Sequence, residues 1–170
     1  MPINLVPLPG SVRGRLYATG FTDVGPDPAG ALAALPADTL LCLLTDHDVA
    51  LRFPAFAAWL AEHGDGPVWR FPIEDGGVAD EDEMLALVDD LVRRLRAGER
   101  VVAHCGAGIG RTSLVCGLAL VALTGEPLAD ALASVRAARP GAGPENPEQR
   151  AHLERLADVL TARAELDSIG

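Results

Sequence analysis

The chain contains no lysine. All 14 of its basic residues are arginine, which excludes a Walker A phosphate loop, a Schiff-base lysine and a pyridoxal-phosphate anchor. Cysteine is scarce too. Cys42, Cys105 and Cys116 are odd in number, widely spaced and free of any Cys-x-x-Cys pair, which argues against both an extracellular disulfide framework and a zinc site. The four histidines, His47, His63, His104 and His152, have no metal-ligand spacing, so no metal or other cofactor is expected. Excess positive charge is missing: 24 acidic residues against 14 basic ones leave a net charge of −10. That speaks against nucleic acid, whose binders carry a basic stripe, and against anionic membrane surfaces. No apolar run reaches bilayer-spanning length, so no membrane insertion is expected. The opening "MPINLVPLPGSVRGRLYATG" lacks the basic-then-apolar layout of a signal peptide. A cytoplasmic monomer is the expectation.

What is present is ordinary globular material, 49% hydrophobic and 22% charged over 170 residues. A single domain spanning 1–170 is expected, able to bury roughly two thirds of its unfolded surface. The bias toward Ala, Gly and Arg is associated with GC-rich bacterial genomes. Short apolar runs read as buried strands at 16–19, 39–45, 68–73 and 100–104. Between them lie stretches of helical spacing. Residues 50–63 place Phe53, Phe56, Ala57 and Leu60 on one face, and 81–97 group Met84, Leu87, Val88, Leu91 and Leu95. Residues 111–124 read as a nearly all-apolar helix, 127–139 as another, and "NPEQRAHLERLADVLTARAEL" as a last one starting at an Asn-Pro-Glu signal. Gly-Asp-Gly-Pro at 64–67 marks a turn and "RPGAGPEN" a loop. Strands alternating with helices predict an α/β fold with a central, mostly parallel sheet of four to five strands and helices on both faces.

The stretch "VVAHCGAGIGRTS" at 101–113 stands at a strand-to-helix junction, where an α/β sheet gathers its ligands. Gly106, Gly108 and Gly110 let the backbone curl with its amides inward, at the positive end of the helix that follows: an anion site. The spacing fails Walker A by one residue, with Arg in place of Lys, and it also fails the dinucleotide fingerprint. What sets the loop apart is Cys105 at its start and Arg111 six positions on. Inward amides, a helix N-terminus and a guanidinium favour a thiolate at such a cysteine. The same groups suit the oxygens of a phosphate, Arg111 bidentately. The sulfur would then lie beneath the phosphorus. Thr112 is a candidate donor to that sulfur, and His104 a residue that fixes the loop.

These residues resemble a known family. His104-Cys105, then Gly106-Ala107-Gly108-Ile109-Gly110, then Arg111-Thr112 match the His-Cys-x5-Arg-Ser/Thr signature of the cysteine-dependent protein tyrosine phosphatases, a match of roughly 10⁻⁵ chance probability at average residue usage. "FPIEDGGVAD" is similar to the mobile acid loop of the small dual-specificity phosphatases, particularly the cyclin-dependent-kinase-associated subgroup, with Asp75 thirty residues before Cys105. "LPGSVRGRLYATG", "LLCLLTDHDV" and "RPGAGPENPEQRAHL" resemble other parts of that subgroup.

The resemblance implies a metal-independent phosphomonoester hydrolase working through a phosphocysteine at Cys105. The cradle would be the loop from Gly106 to Gly110 with Arg111, and Asp75 would be general acid and then base. Asp80 is a rival for that role, since the family's usual proline is replaced by Ala79. Gln149 resembles a glutamine that orients water in some relatives, with an ordinary first-turn helix residue as the alternative. Asn146 reads as an N-cap. Cys42 occupies a place where some relatives carry a redox partner of the nucleophile, a small core residue being the alternative, while Cys116 points into the core. "TDHDV" is read as a strand-end loop with Asp48 capping the next helix, and Trp59 and Trp69 as core. The expected substrate is phosphotyrosine, with phosphoserine and phosphothreonine open. The alternatives are a small phosphorylated metabolite or phosphoinositide handled by the same mechanism, and a non-catalytic phospho-binding module.

Overall fold

The computed structural model describes residues 2–170. Five strands form one sheet in the order β1-β2-β5-β3-β4: β1 (Asn4–Val6), β2 (Arg15–Gly20), β3 (Thr39–Cys42), β4 (Val68–Arg70) and β5 (Arg100–Cys105). All neighbours run parallel except β1, which pairs antiparallel with β2. The expected mostly parallel sheet is therefore present. Its antiparallel edge strand β1 lay outside the predicted strands, because three residues in a proline-rich opening carry too short a pattern to read. The predicted runs 39–45 and 68–73 outlast their strands, yet Phe71 N still donates to Cys42 O at 3.0 Å and Ile73 N to Leu43 O at 3.0 Å.

Helices α1 (Phe21–Val24), α2 (Pro28–Ala34), α3 (Asp46–Arg52) and α4 (Pro54–Glu62) cover one face, packing Phe21, Leu32, Val49, Phe56 and Leu60 against Leu40, Cys42 and Val102. On the other face lie α5 (Glu81–Arg96), α6 (Gly110–Thr124), α7 (Leu128–Ala138) and α8 (Pro147–Ile169), which bury Leu91, Leu118, Val135 and Leu153 with Leu41, Val101 and Ala103. Helix α6 is buried over its first twelve residues because α5, α7 and α8 surround it. That explains its apolar character all round.

One expected helix is two. Periodicity over 50–63 predicts a continuous element, but Phe53 sits at φ −149°, ψ 98° between α3 and α4. Pro54 disfavours the helical region for the residue before it, so the chain breaks there and restarts with proline in the first turn. Helix α3 begins one turn earlier than the periodicity suggested, with a reciprocal Thr45–Asp48 capping box. Helix α5 follows its sequence signals closely: Asp80 caps it, Glu81, Asp82 and Glu83 fill its first turn, and Arg93, Arg94 and Arg96 its last.

Strand β5 carries His104 into the interior beneath the rings of Phe21 and Phe56. The imidazole is fully buried. Its Nδ1 lies 3.4 Å from the Cys105 carbonyl, and its Nε2 has no partner among the described residues. Burial pushes its pKa down from 6.5 to about 4, so the ring is neutral near pH 7.

Two consequences are measurable. Leu91→Ala, in the core, should cost about 2–5 kcal/mol in urea denaturation. Leu51→Ala, 71% exposed on α3, should stay within about 0.5 kcal/mol. The second concerns pH. His104 titrates lower when folded, so the unfolded chain takes up its proton first and stability falls as pH drops from about 6.5 to about 4. Between pH 7 and 4.5 this group should remove roughly 2 kcal/mol, and a His104→Gln variant should show a flatter pH dependence by that amount.

Candidate active site

The carboxyl end of β5 lies between β2 and β3 at the centre of the sheet, and there the chain turns from Cys105 through four residues into α6. In this turn the carbonyls are drawn outward. Phe21 N donates to Gly106 O at 2.8 Å, and Arg139 donates Nη2 to Ala107 O at 2.6 Å and Nε to Gly108 O at 2.7 Å. With these carbonyls held outside, Gly108 N turns inward and donates to Cys105 Sγ at 3.2 Å. Gly108 adopts φ +72°, and a Cβ there would fall 2.3 Å from Thr19 O and 2.7 Å from Arg139 Nε. Both the left-handed backbone and the close approach therefore require glycine.

Arg111 enters the same volume from the first turn of α6. Its side chain is 3% exposed and meets two carboxylates: Nη1 donates to Asp48 Oδ2 at 2.8 Å and Nη2 to Asp75 Oδ1 at 3.0 Å. Nη1 also donates to Ile73 O at 2.8 Å. Burial works against its charge, but Asp48, Cys105 and Asp75 outweigh it and raise its pKa above the usual value. Burial likewise disfavours the charged form of Asp48, and the bonds from Arg111 and from the Thr45 amide more than offset this, lowering its pKa. Thr112, one residue on, is buried, and its hydroxyl has no partner among the described residues.

The segment leading into α5 brings Asp75, 74% exposed, over the cysteine loop. It is fastened from below by α8. Asn146 Nδ2 donates to Gly76 O at 2.6 Å and Gln149 Nε2 to Gly77 O at 3.2 Å, while Gln149 Oε1 accepts from Glu145 N at 2.8 Å. The buried Gln149 amide is thus engaged at both ends as a brace. Asp80 is occupied elsewhere, since its Oδ1 accepts from Asp82 N at 3.0 Å and Glu83 N at 3.1 Å as the cap of α5. Of the two candidate acids, Asp75 is the one the fold brings to Arg111.

The remaining cysteines are separated by the sheet. Cys42 is registered beside His104 and packs in the cluster under α1–α4, whereas Cys105 and Cys116 belong to the opposite one. Burial raises Cys42 to about 11 and, with a contribution from Cys105, Cys116 to about 12. Trp59 and Trp69 are half-buried, Trp69 beneath the Arg94 guanidinium at 4.5 Å. Among the described residues no group of three or more His, Cys, Asp or Glu is placed to hold a metal.

Above the loop opens a cavity of about 410 Å³, bordered by Gly106, Ala107, Ile109, Asp75, Arg52 and Glu145. A larger hollow, about 850 Å³ between Trp69–Pro72 and α5, contains no cysteine-loop residue. Three residues of this region escaped sequence reasoning. Arg139 reads as a helix end, Asp48 as a cap only, and nothing in the pattern singles out Arg52. The single available signal was Asp48 at N3 of α3, and nothing in the sequence ties it to a residue 63 positions away.

No family model matches the chain, and no curated protein matches it. Solved structures do. The kinase associated phosphatase with its catalytic-site cysteine changed to serine aligns over 95% of this chain and 97% of its own, with 21% identity and a TM-score of 0.77. Tk-PTP in its active form aligns over 91% and 97%, with 24% identity and a TM-score of 0.67. PTPMT1 in complex with PI(5)P aligns over 89% and 94%, with 15% identity and a TM-score of 0.70. Alignments that span between 89% and 97% of each chain lead to one conclusion: this chain has the fold of the protein tyrosine phosphatases, in its small dual-specificity form.

Proposed function

We propose that the protein hydrolyses phosphomonoesters through a phosphocysteine intermediate on Cys105. The observation that carries the reading is a Cys105 Sγ that accepts the Gly108 amide in the turn where the buried Arg111 meets the Asp75 carboxylate, at the edge of a cavity lined by Gly106, Ala107 and Asp75. A phosphoryl group seated there accepts hydrogen bonds from the amides of the 106–110 loop and from Arg111, with the sulfur beneath phosphorus for in-line displacement. In the free protein Arg111 Nη2 holds Asp75. A phosphate oxygen taking that donor frees the carboxylate, which takes up a proton from solvent or from the phosphomonoester monoanion and delivers it to the leaving oxygen. Asp75, now a carboxylate, then takes a proton from the water that attacks the phosphocysteine. Sulfur leaves as an anion that the Gly108 amide already addresses and to which the unpartnered Thr112 hydroxyl is free to donate. Inorganic phosphate departs and the thiol side is regenerated. His104, neutral and sealed beneath the loop, supports it and takes no proton. The scheme uses only protein side chains and water, so no metal is required.

Phosphotyrosine is the substrate class we favour, with phosphoserine and phosphothreonine open, because the loop from Gly106 to Gly110 carries no basic side chain of the kind a highly phosphorylated lipid headgroup calls for. A second reading, a small phosphoester or phosphoinositide as substrate, is favoured by the neighbour solved with PI(5)P.

Wild type should release p-nitrophenol from p-nitrophenyl phosphate in EDTA, and Cys105→Ser should lose at least about a thousandfold in kcat while still binding tungstate. No turnover by either protein, with tungstate bound by both, would make this a phospho-binding module. Asp75→Asn should lower kcat on a phosphotyrosine peptide by about 10²–10⁴ and remove the fall in rate on the high-pH side. The loss should be smaller on p-nitrophenyl phosphate, whose leaving group needs less protonation. Asp80→Asn preserves a good cap and should leave the rate within about twofold; the reverse pattern would move the acid to Asp80.

A further inference from the structure

The cavity over Cys105 holds a cation that the chemistry above does not use. Arg52 is the last residue of α3, and the break forced by Pro54 ends that helix beside the cysteine loop. A methyl group on Gly106 would lie 3.4 Å from Arg52 Nη1 and 3.4 Å from Arg111 Nη2. Two guanidinium groups therefore flank one small volume.

Their electrostatic situations differ. Arg111 is matched by Asp48 and Asp75. Arg52 makes no hydrogen bond and no ion pair with any described residue, although Asp75 and Glu145 border the same cavity. Several other arginines of this acidic chain do meet carboxylates: Arg70 with Asp46, Arg94 with Glu99, Arg155 with Glu81 and Arg163 with Asp89. An exposed, unmatched guanidinium beside the cysteine turn, in a chain of net charge −10, is a ready partner for an anion brought from outside.

We propose that Arg52 is a specificity residue that binds a second anionic group carried by the substrate beside its phosphoester. The inference rests on the phosphatase reading. Because the loop itself, Gly106 to Gly110, contributes no charged side chain, the second charge is read from α3. The chemistry recognised is a carboxylate or phosphate adjacent to the scissile phosphate, and two sources can supply it: an acidic residue flanking a phosphotyrosine, or the second phosphate of a small soluble bisphosphate. An anionic bilayer is a poor source, since the acidic chain is repelled by it.

The test compares kcat/KM within two matched pairs, a phosphotyrosine peptide with Asp or with Ala neighbours, and a sugar bisphosphate against its monophosphate. Wild type should favour the doubly anionic member of at least one pair about tenfold, the effect of one charge-assisted hydrogen bond, expressed in KM and reduced at high salt. The pair that shows it identifies the source. Arg52→Gln should bring that ratio to about one, and Arg52→Lys should keep part of it. No preference by wild type in either pair overturns the proposal. So does an Arg52→Gln variant that loses equally on all four compounds, which would make Arg52 part of the phosphate cradle. If wild type fails to turn over even p-nitrophenyl phosphate, the phosphatase reading is what has failed. The same four compounds are then competed against bound tungstate: a preference lost in Arg52→Gln upholds the anion site, and its absence overturns it.

Discussion

Everything at this site depends on a turn whose backbone is inside out. The carbonyls of Gly106, Ala107 and Gly108 bond to the surrounding protein, to Phe21 N and the Arg139 guanidinium, and the Gly108 amide is left facing the sulfur. Peptide groups cannot point both ways. The cradle exists because something outside it accepts the cost of satisfying the carbonyls, and Arg139 does most of that. It sits 1% exposed, its other donors reaching Pro2 O and Asn4 Oδ1, so the loop is tied to the first strand of the chain as well. Gly108 is where the geometry is tightest, and no side chain fits there.

The second organising constraint is charge compensation. A guanidinium 3% exposed is costly unless matched, and Arg111 is matched by one fixed and one exposed carboxylate. Asp48 is held by its capping box on α3 at 2.8 Å from Arg111 Nη1. Asp75 belongs to a segment joined to the protein through Gly76 and Gly77 by Asn146 and Gln149. The same arginine thus joins the cysteine turn, the Asp75 segment and α3. Three stretches far apart in sequence meet at one side chain, and α8 supplies the fastening beneath them.

Much of this was legible in advance. The alternation of apolar runs with helical spacing gave the parallel sheet and both helical layers, because burying a sheet on two faces leaves a pattern that survives in one dimension. Cys105, its glycines and Arg111 were legible because a turn of six residues encodes its own geometry: the groups that must meet are neighbours along the chain. Asp75 was placed through its resemblance to an acid loop, and only the tertiary structure shows that Asp75 meets Arg111 while the Asp80 carboxylate caps α5. Periodicity misjudged 50–63, where the restriction imposed by Pro54 is stronger than the spacing of the apolar residues around it.

By itself, then, the sequence determined the α/β class, the cysteine turn and the exclusion of lysine chemistry, all of which follow from local pattern and composition. The tertiary structure alone decided that Asp48 backs Arg111, that Arg139 holds the loop carbonyls, that Gln149 spends its amide bracing Gly77, that Cys42 lies across the sheet from Cys105, and that Arg52 overhangs the cavity. Each of those facts joins residues tens of positions apart. No local spacing records such a contact, because only the packing of strands and helices determines which distant side chains share a volume.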